Sequence, residues 1–478
     1  MKILLVNPPL RETPSMGRPK MMIDIVGKYP PLGILYIGGY LKKYNPYAEL
    51  KLFDGGADGV EAFQQVVEEF KPDVVGMTTY TFTFSEIKKY IEYIKQTNPS
   101  TFVCLGGHHV KCYPNETLKF AEVDAVVAGE GEIAFSELID ALYNKKTLHG
   151  IKGIGFKDAE TNIIMNEPRD KIKSLDALPF PLREYLDLNK YYCLVGKKRY
   201  STTILSSRDC PYKCLFCSHA LSGYRSRSIG NVLDEIEHCL SLGIEDFFFY
   251  DDTFNVSKKR LKSFCDGIRE KGLKFSWSFR GRVDAISYDL LKDVKELGCY
   301  RIQFGVEAGT EKALKNIRKE TNLDQVRLAF KWTNSLKIQT VGYFIIGNPG
   351  ETREDIQSTI DFAIELEPTY ANFSILVSTP DSKMNDIMIE KGLMHSDFWL
   401  DYMNKLDNVA LPPVWGETFS RSELEELQKY AFKKFYQRPK YYFRMLREIN
   451  CWADFVRKLK AGVLMFYWNF LFKKKQKA

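Results

Sequence analysis

The stretch Cys210-Pro-Tyr-Lys-Cys214-Leu-Phe216-Cys217 constrains this chain more than any other, because three thiols spaced four and three residues apart must share one short loop. The apolar, β-branched run from Thr202 to Leu205 just before it reads as a strand. Thiolates this close together suit an iron–sulfur cluster, whose irons are held by Cys sulfur. Only three such ligands are local, which leaves a fourth iron open to a small molecule and points to chemistry rather than electron storage. A structural zinc site needs four ligands, and His219 stands near enough in sequence to be one. A disulfide fits poorly. Met1 to Val6 is apolar but runs at once into Asn7-Pro8-Pro9, too short for a secretory signal.

The 478 residues suffice for two or three domains, and 45% hydrophobic content is that of a globular protein. A formal net charge of +7 is mild for this length, and no basic stripe is interleaved with base-stacking aromatics, so nucleic acid is not expected as a partner. No run reaches the length of a membrane span. Ten cysteines without an export signal imply a reducing, cytoplasmic setting. Those outside the loop are scattered, and no second cluster is expected.

Residues 1–150 alternate strand and helix patterns. Strands are predicted at Lys2 to Val6, Leu50 to Phe53, Val74 to Thr78, Phe102 to Leu105 and Ala125 to Val127. Helices fall between them, with Phe63, Val66, Val67 and Phe70 at helical spacing in one. Glycines mark the strands' carboxyl ends: Asp54-Gly55-Gly56, Gly106-Gly107 and Gly129-Glu130-Gly131-Glu132. That pattern predicts a doubly wound α/β sheet, which binds ligands at those ends. Residues 151–195 read as a connector with a small sheet; Leu178-Pro179-Phe180-Pro181 suits neither helix nor central strand. From 196 to about 415 the alternation resumes, with six strand–helix units starting at Thr202 to Ser206, Phe247 to Tyr250, Phe275 to Ser278, Arg301 to Val306, Thr340 to Ile346 and Ala371 to Leu376. Six units make a partial barrel, short of a closed eight. Residues 416–478 complete the chain with helical segments and a tail.

Cys210, Cys214 and Cys217, with Phe216 before the last, resemble the CxxxCxxC motif of the radical S-adenosylmethionine superfamily. In that family a 4Fe-4S cluster holds S-adenosylmethionine by its amino and carboxylate groups at the open iron. Gly305-Val306-Glu307-Ala308-Gly309 resembles a further element of the family, which implies that Glu307 meets the ribose or amino group of S-adenosylmethionine. Gly342 and Gly347, within Gly342…Gly347-Asn348-Pro349-Gly350-Glu351, resemble its fifth-strand motif near the adenine. The glycine turns of residues 1–150, with Asn7-Pro8-Pro9 and Pro30-Pro31-Leu32-Gly33, resemble the cobalamin-binding domain of cobalamin-dependent members. There Asp54, Gly56, Gly59, Gly106, Gly107 and Glu130 are the implied cobalamin residues. Gly56 stands where D-x-H-x-x-G places the histidine that ligates cobalt, so cobalt without a protein histidine is implied. His108 and His109, after the Gly-Gly turn, read as solvated.

Other strand-end residues have competing readings. Asp251-Asp252-Thr253 is either a functional element or a helix N-cap. Arg280, Arg282 and Asp284 are either functional or a surface ion pair. In the tail, the apolar and aromatic run Val463 to Phe472 precedes Lys473-Lys474-Lys475-Gln476-Lys477, fitting either a docked helix or one lying in a membrane interface. Three functions follow from the resemblance: a C-methyltransferase acting on an unactivated carbon, the expected one; a radical oxidoreductase or cyclase like the anaerobic magnesium-protoporphyrin cyclase; or a cobalamin sensor, which the cysteine triad argues against. The expected partners are a small-molecule substrate, hydrophobic or lipid in one reading, and an electron donor such as flavodoxin or ferredoxin.

Overall fold

A computed structural model describes residues 1–9, 28–59, 61–192, 198, 200–218, 223–396, 398–404 and 411–447. The basic aromatic tail and His219 lie outside the described residues. Two compact units form. Among the described residues, the first comprises 1–9, 28–59, 61–191, 396 and 398–404; the second comprises 192, 198, 200–218, 223–395 and 411–447.

In the first unit β1 (Lys2–Asn7) has four consecutive buried residues, Ile3 to Val6, as a strand covered on both faces requires. Following it are α1 (Leu32–Tyr44), β2 (Glu49–Asp54), α2 (Glu61–Phe70), β3 (Val74–Thr78), α3 (Phe84–Thr97), β4 (Phe102–Gly106), β5 (Ala125–Val127) and α4 (Gly131–Tyr143). The strand order is β2-β1-β3-β4-β5, all parallel, the flavodoxin-like doubly wound arrangement. Leu4, Val6, Phe63, Val67, Ile87 and Ile91 build the core on one face; Ile3, Leu5, Ile34, Leu41, Phe135 and Leu138 build it on the other. Each such side chain contributes about 1.5–3 kcal/mol through burial. The expected connector sheet is not separate: β6 (Ile154–Lys157) and β7 (Ile163–Met165) extend the same sheet antiparallel. The proline-rich stretch then lies on α1, where Leu182 N–H donates to Leu35 O at 3.1 Å. Phe398–Asn404 returns to this unit and buries Met403 in its core.

The second unit holds β8 (Ser201–Ile204), α5 (Ile229–Ser241), β9 (Asp246–Phe249), α6 (Lys258–Lys271), β10 (Ser276–Gly281), α7 (Tyr288–Glu296), β11 (Cys299–Glu307), α8 (Leu323–Ser335), β12 (Gln339–Ile346), α9 (Arg353–Leu366), β13 (Tyr370–Ile375), α10 (Arg421–Tyr436) and α11 (Pro439–Arg447). Six parallel strands run in the order β13-β12-β11-β10-β9-β8, an open partial barrel. The helices start where short polar side chains satisfy their first N–H groups. Ser228, Ser257 and Ser287 cap α5, α6 and α7, while Asn322, Thr352 and Ser420 form capping boxes on α8, α9 and α10. The sheet's outer face packs aromatics against helices, as Phe304 does on Phe330 and Phe373 on Phe432. Helix α10 also seals the β13 edge: Tyr436 Oη accepts Ala371 N–H and donates to Ala371 O. Among the described residues no helix is long and apolar enough to cross a membrane.

Candidate cofactor and active site

The cysteine loop leaves β8 under tight control. Ser206 N–H and the hydroxyls of Ser206 and Ser207 all donate to the buried carboxylate of Asp251, just past β9. Asp251 is therefore not a helix cap, as one reading had it; Ser257 caps the next helix, and Asp251 clamps the chain as it enters the loop. Asp209 takes a left-handed φ of +69° and ion-pairs with Arg225 at 2.6 Å. Cys210 is buried, with Sγ 3.9 Å from Thr253 Oγ1, while Cys214, Phe216 and Cys217 are half-buried. At mid-loop Leu215 N–H donates to Ile317 O, and Met384 N–H donates to Leu215 O. The backbone that spaces the thiols is thus held from two sides.

Charge surrounds this loop. The Arg282 guanidinium lies 3.7 Å from the Tyr212 ring centre, is nearly buried, and forks onto Asp284 at 2.9 and 2.8 Å. The expected surface ion pair is thus an interior one, because Arg282 also fastens the Glu320 carbonyl at 2.8 Å. Burial pushes the Cys214 thiol up, and the cations Lys319 and Arg282 pull it back toward thiolate. Three thiols on one fixed loop with two cations beside them fit a cluster held by three cysteines.

Glu307 ends β11 in a left-handed conformation, φ +71°, at a register shift in the β11–β12 pairing. Its carboxylate folds back to meet Lys319 Nζ at 2.9 Å, with the two side chains only 10% and 9% exposed. Gly305 makes that fold-back possible, since a Cβ there would sit 2.3 Å from Glu307 Oε1 and 3.0 Å from Lys319 Nζ. Lys319 had no sequence signal; it lies in the polar turn after a short helix. Gly342 lies within β12 and faces the Phe344 ring, so it serves packing on the helix side rather than close approach by a ligand. Gly347 follows β12 with φ +79° and packs under Leu424 of α10. Four residues on, Glu351 accepts Asn348 N–H at 2.8 Å and Asn348 Nδ2–H at 2.9 Å, and burial pushes its pKa up to about 7.

In the first unit Asp54 ends β2 with its carboxylate engaged on every side. It accepts from Asn7 Nδ2 at 2.9 Å, Tyr191 Oη at 3.0 Å and Gly56 N–H at 3.2 Å. Burial raises the Asp54 pKa, against those three donors. Burial also pushes the Tyr191 phenol up, so it stays a donor. A Cβ on Gly56 would touch only Asp54 Oδ1, at 3.4 Å, so the position has room for a side chain that the sequence omits. Gly59 has φ +89° and ends the turn that follows. Gly106 closes β4, and Gly107 adopts φ +98° where a Cβ would lie 2.9 Å from Thr79 O, a site for glycine only. Glu130 precedes α4 and accepts Ile172 N–H at 2.6 Å, tying down the segment after β7. Asp54, Gly56 and Gly59 share one turn, and Gly106 and Gly107 another. His109 is not solvated. It is fully buried against Phe84 and Tyr113 with Nδ1 3.1 Å from Thr81 Oγ1, and desolvation lowers its pKa to about 3.

A flavodoxin-like sheet, followed by an open six-strand parallel barrel whose first strand feeds a three-cysteine loop, defines a cobalamin-binding radical S-adenosylmethionine protein. Comparison with known families agrees. The B12 binding domain matches residues 19–139, and the Radical SAM superfamily matches residues 204–363. A protein of Pyrococcus horikoshii named uncharacterized methyltransferase PH0819 is 31% identical over 98% of this chain and 99% of its own. The anaerobic magnesium-protoporphyrin IX monomethyl ester cyclase of Rubrivivax gelatinosus is 27% identical over 87% of this chain and 76% of its own. The solved structure of the radical S-adenosylmethionine methyltransferase TsrM from Kitasatospora setae shares the fold, with a TM-score of 0.71 at 16% identity and 98% coverage of both chains. The chain belongs to the cobalamin-dependent radical S-adenosylmethionine enzymes, whose cofactors are a 4Fe-4S cluster, S-adenosylmethionine and cobalamin.

Proposed function

We propose that this enzyme transfers a methyl group to an unactivated carbon of a small molecule. The observation that carries the reading is the Asp54 carboxylate, saturated by Asn7, Gly56 and Tyr191 where the related motif would use it to orient a cobalt-ligating histidine. When bound, the cluster and S-adenosylmethionine supply a hydrogen-abstracting radical, and cobalamin supplies the methyl group. The protein's own contribution is placement. Cys210, Cys214 and Cys217 hold the cluster on a loop fixed by Asp251, Ile317 and Met384. Glu307, paired with Lys319, offers oxygens to the hydroxyl or ammonium groups of S-adenosylmethionine. The full-length likeness to a protein named as a methyltransferase supports the same reading.

The test supplies S-adenosylmethionine labelled in its methyl group together with substrate, under reducing anaerobic conditions. Equal yields of labelled product, 5′-deoxyadenosine and S-adenosylhomocysteine are expected. Product and 5′-deoxyadenosine without label or S-adenosylhomocysteine would replace methylation with the oxidative, cyclase-type reading. We also propose a cytoplasmic enzyme reduced by a flavodoxin- or ferredoxin-type donor. Its tail, with Phe466, Tyr467 and Trp468 near four lysines, would reach an anionic membrane surface where a hydrophobic substrate is met.

A further inference from the structure

The inner face of the second unit's sheet carries a cation that the cysteine loop does not use. Arg280 lies on the inner face of β10, its guanidinium 4.0 Å from the Tyr250 ring centre and 5.3 Å from that of Phe248. It is half-buried, and no carboxylate among the described residues pairs with it. Four other recessed cations of the unit are treated differently: Arg225, Arg227, Arg282 and Lys319 each hold a carboxylate, while Arg260 is held by the Ser206 and Arg227 carbonyls. Arg301, one level down the inner face, is bound by the Gln339 amide oxygen.

Arginine cannot shed its proton, and the neighbouring Asp252 carboxylate acts on Arg280 only from beyond ion-pair distance, so the recessed guanidinium keeps a desolvation cost that a bound anion reduces. Tyr250 covers one flat face by a cation–π contact and its hydroxyl also engages the guanidinium, which leaves the remaining N–H groups for a planar, two-point oxyanion. Gln303, directly in register with Arg280 on β11, stands beside it. Its Oε1 accepts the Tyr343 hydroxyl at 2.7 Å, and its amide N–H groups have no partner among the described residues. The charged donor and the neutral one thus sit on adjacent strands at one level.

Glu307 lies four residues beyond Gln303 on the same strand, about 13 Å along the backbone, and its carboxylate folds back over Gly305 between them. Lys319, Glu307 and Arg282 are the charged groups that act most on the Cys214 thiol. The anion of Arg280 is assigned to the substrate, and the S-adenosylmethionine affinity of Arg280→Met tests that assignment.

Building on the methyltransferase reading, we infer that Arg280 and Gln303 bind a substrate oxyanion, either carboxylate or phosphoryl, on the inner face below the cysteine loop. The substrate is then an acid or a phosphate ester, and the anion fixes which carbon faces the radical.

The experiment uses reconstituted holoenzyme and isothermal titration with two probes, benzoate and phenyl phosphate, alongside S-adenosylmethionine. At least one probe binds the wild type, and the preferred one assigns the anion. Arg280→Met weakens it about tenfold or more, as loss of a charged hydrogen-bond donor implies. Gln303→Ala weakens it less, and Arg280→Lys retains part of the affinity. Failure of both probes to bind the wild type overturns the inference, as does equal binding by Arg280→Met. So does a loss of S-adenosylmethionine affinity in Arg280→Met as large as the loss for the probe, which would make Arg280 a cofactor contact. Absence of S-adenosylmethionine cleavage by the wild type would instead sink the methyltransferase reading, while leaving probe binding as a separate result.

Discussion

Removing one member of the Glu307–Lys319 pair should cost far more than removing both. The two groups are 2.9 Å apart with side chains about nine-tenths buried. Burial works against the Lys319 charge, yet Glu307 and the Cys214 thiolate outweigh it and raise its pKa. Glu307 also sits at φ +71°, which costs a non-glycine residue about 1–2 kcal/mol and persists because the pair holds it. Lys319→Met leaves a buried carboxylate unpaired, and Glu307→Gln leaves a buried ammonium unpaired. Each single change should cost about 3–5 kcal/mol, whereas the double variant leaves neither charge and should recover most of that loss. At about 2 °C per kcal/mol for a unit of this size, each single variant should lose about 6–10 °C in Tm, and the double variant only a few degrees. Anaerobic calorimetry of the four proteins measures the cycle. Single variants within about 2 °C of wild type, or a double variant whose loss equals the sum of the singles, would refute the idea that burial makes this pair interdependent.

Glu351 predicts a pH signature. Its folded pKa of about 7 lies above the ordinary value of 4.5, so its stabilising contribution is present below pH 4.5 and is lost as pH rises through 7. The loss is about 3 kcal/mol, and Glu351→Gln should escape it: the Tm of the variant minus that of the wild type should rise between pH 5.5 and 8.5, and a flat difference would contradict the assignment. The triple alanine variant of Cys210, Cys214 and Cys217 should hold no 4Fe-4S cluster after anaerobic reconstitution, which iron and sulfide analysis measures; a full complement would remove the loop from cluster binding. Full-length protein should co-sediment with anionic liposomes at low salt and release at high salt, each tail lysine adding about 1 kcal/mol. A supernatant fraction unchanged by the liposomes would leave the tail without a membrane role.

The features legible in the sequence were those set by local chemistry. Strand periodicity and turn glycines announced both sheets, because each β–α unit carries its own pattern of burial and its own breaker. The cysteine spacing announced the loop for the same reason. What escaped were residues whose task is defined by a distant neighbour. Asp251 looked like a cap because aspartates after strands often are, yet its partners Ser206 and Ser207 lie on an adjacent strand's exit, more than forty positions away in sequence. His109 looked solvated because it follows a glycine turn, but the helix it opens packs inward and takes the ring to zero exposure. Tyr191 carried no signal at all, although it holds the Asp54 carboxylate 137 positions away. Arg280 and Arg282 stand two residues apart in one short string, yet parallel register gives the first an unpaired place beside Gln303 and the second a carboxylate and a ring of the cysteine loop. Sequence spacing therefore named the cofactors, whereas the charge balance around them is a property of strand register, and only the folded sheet discloses that Arg280 lies beside Gln303 without an ion pair.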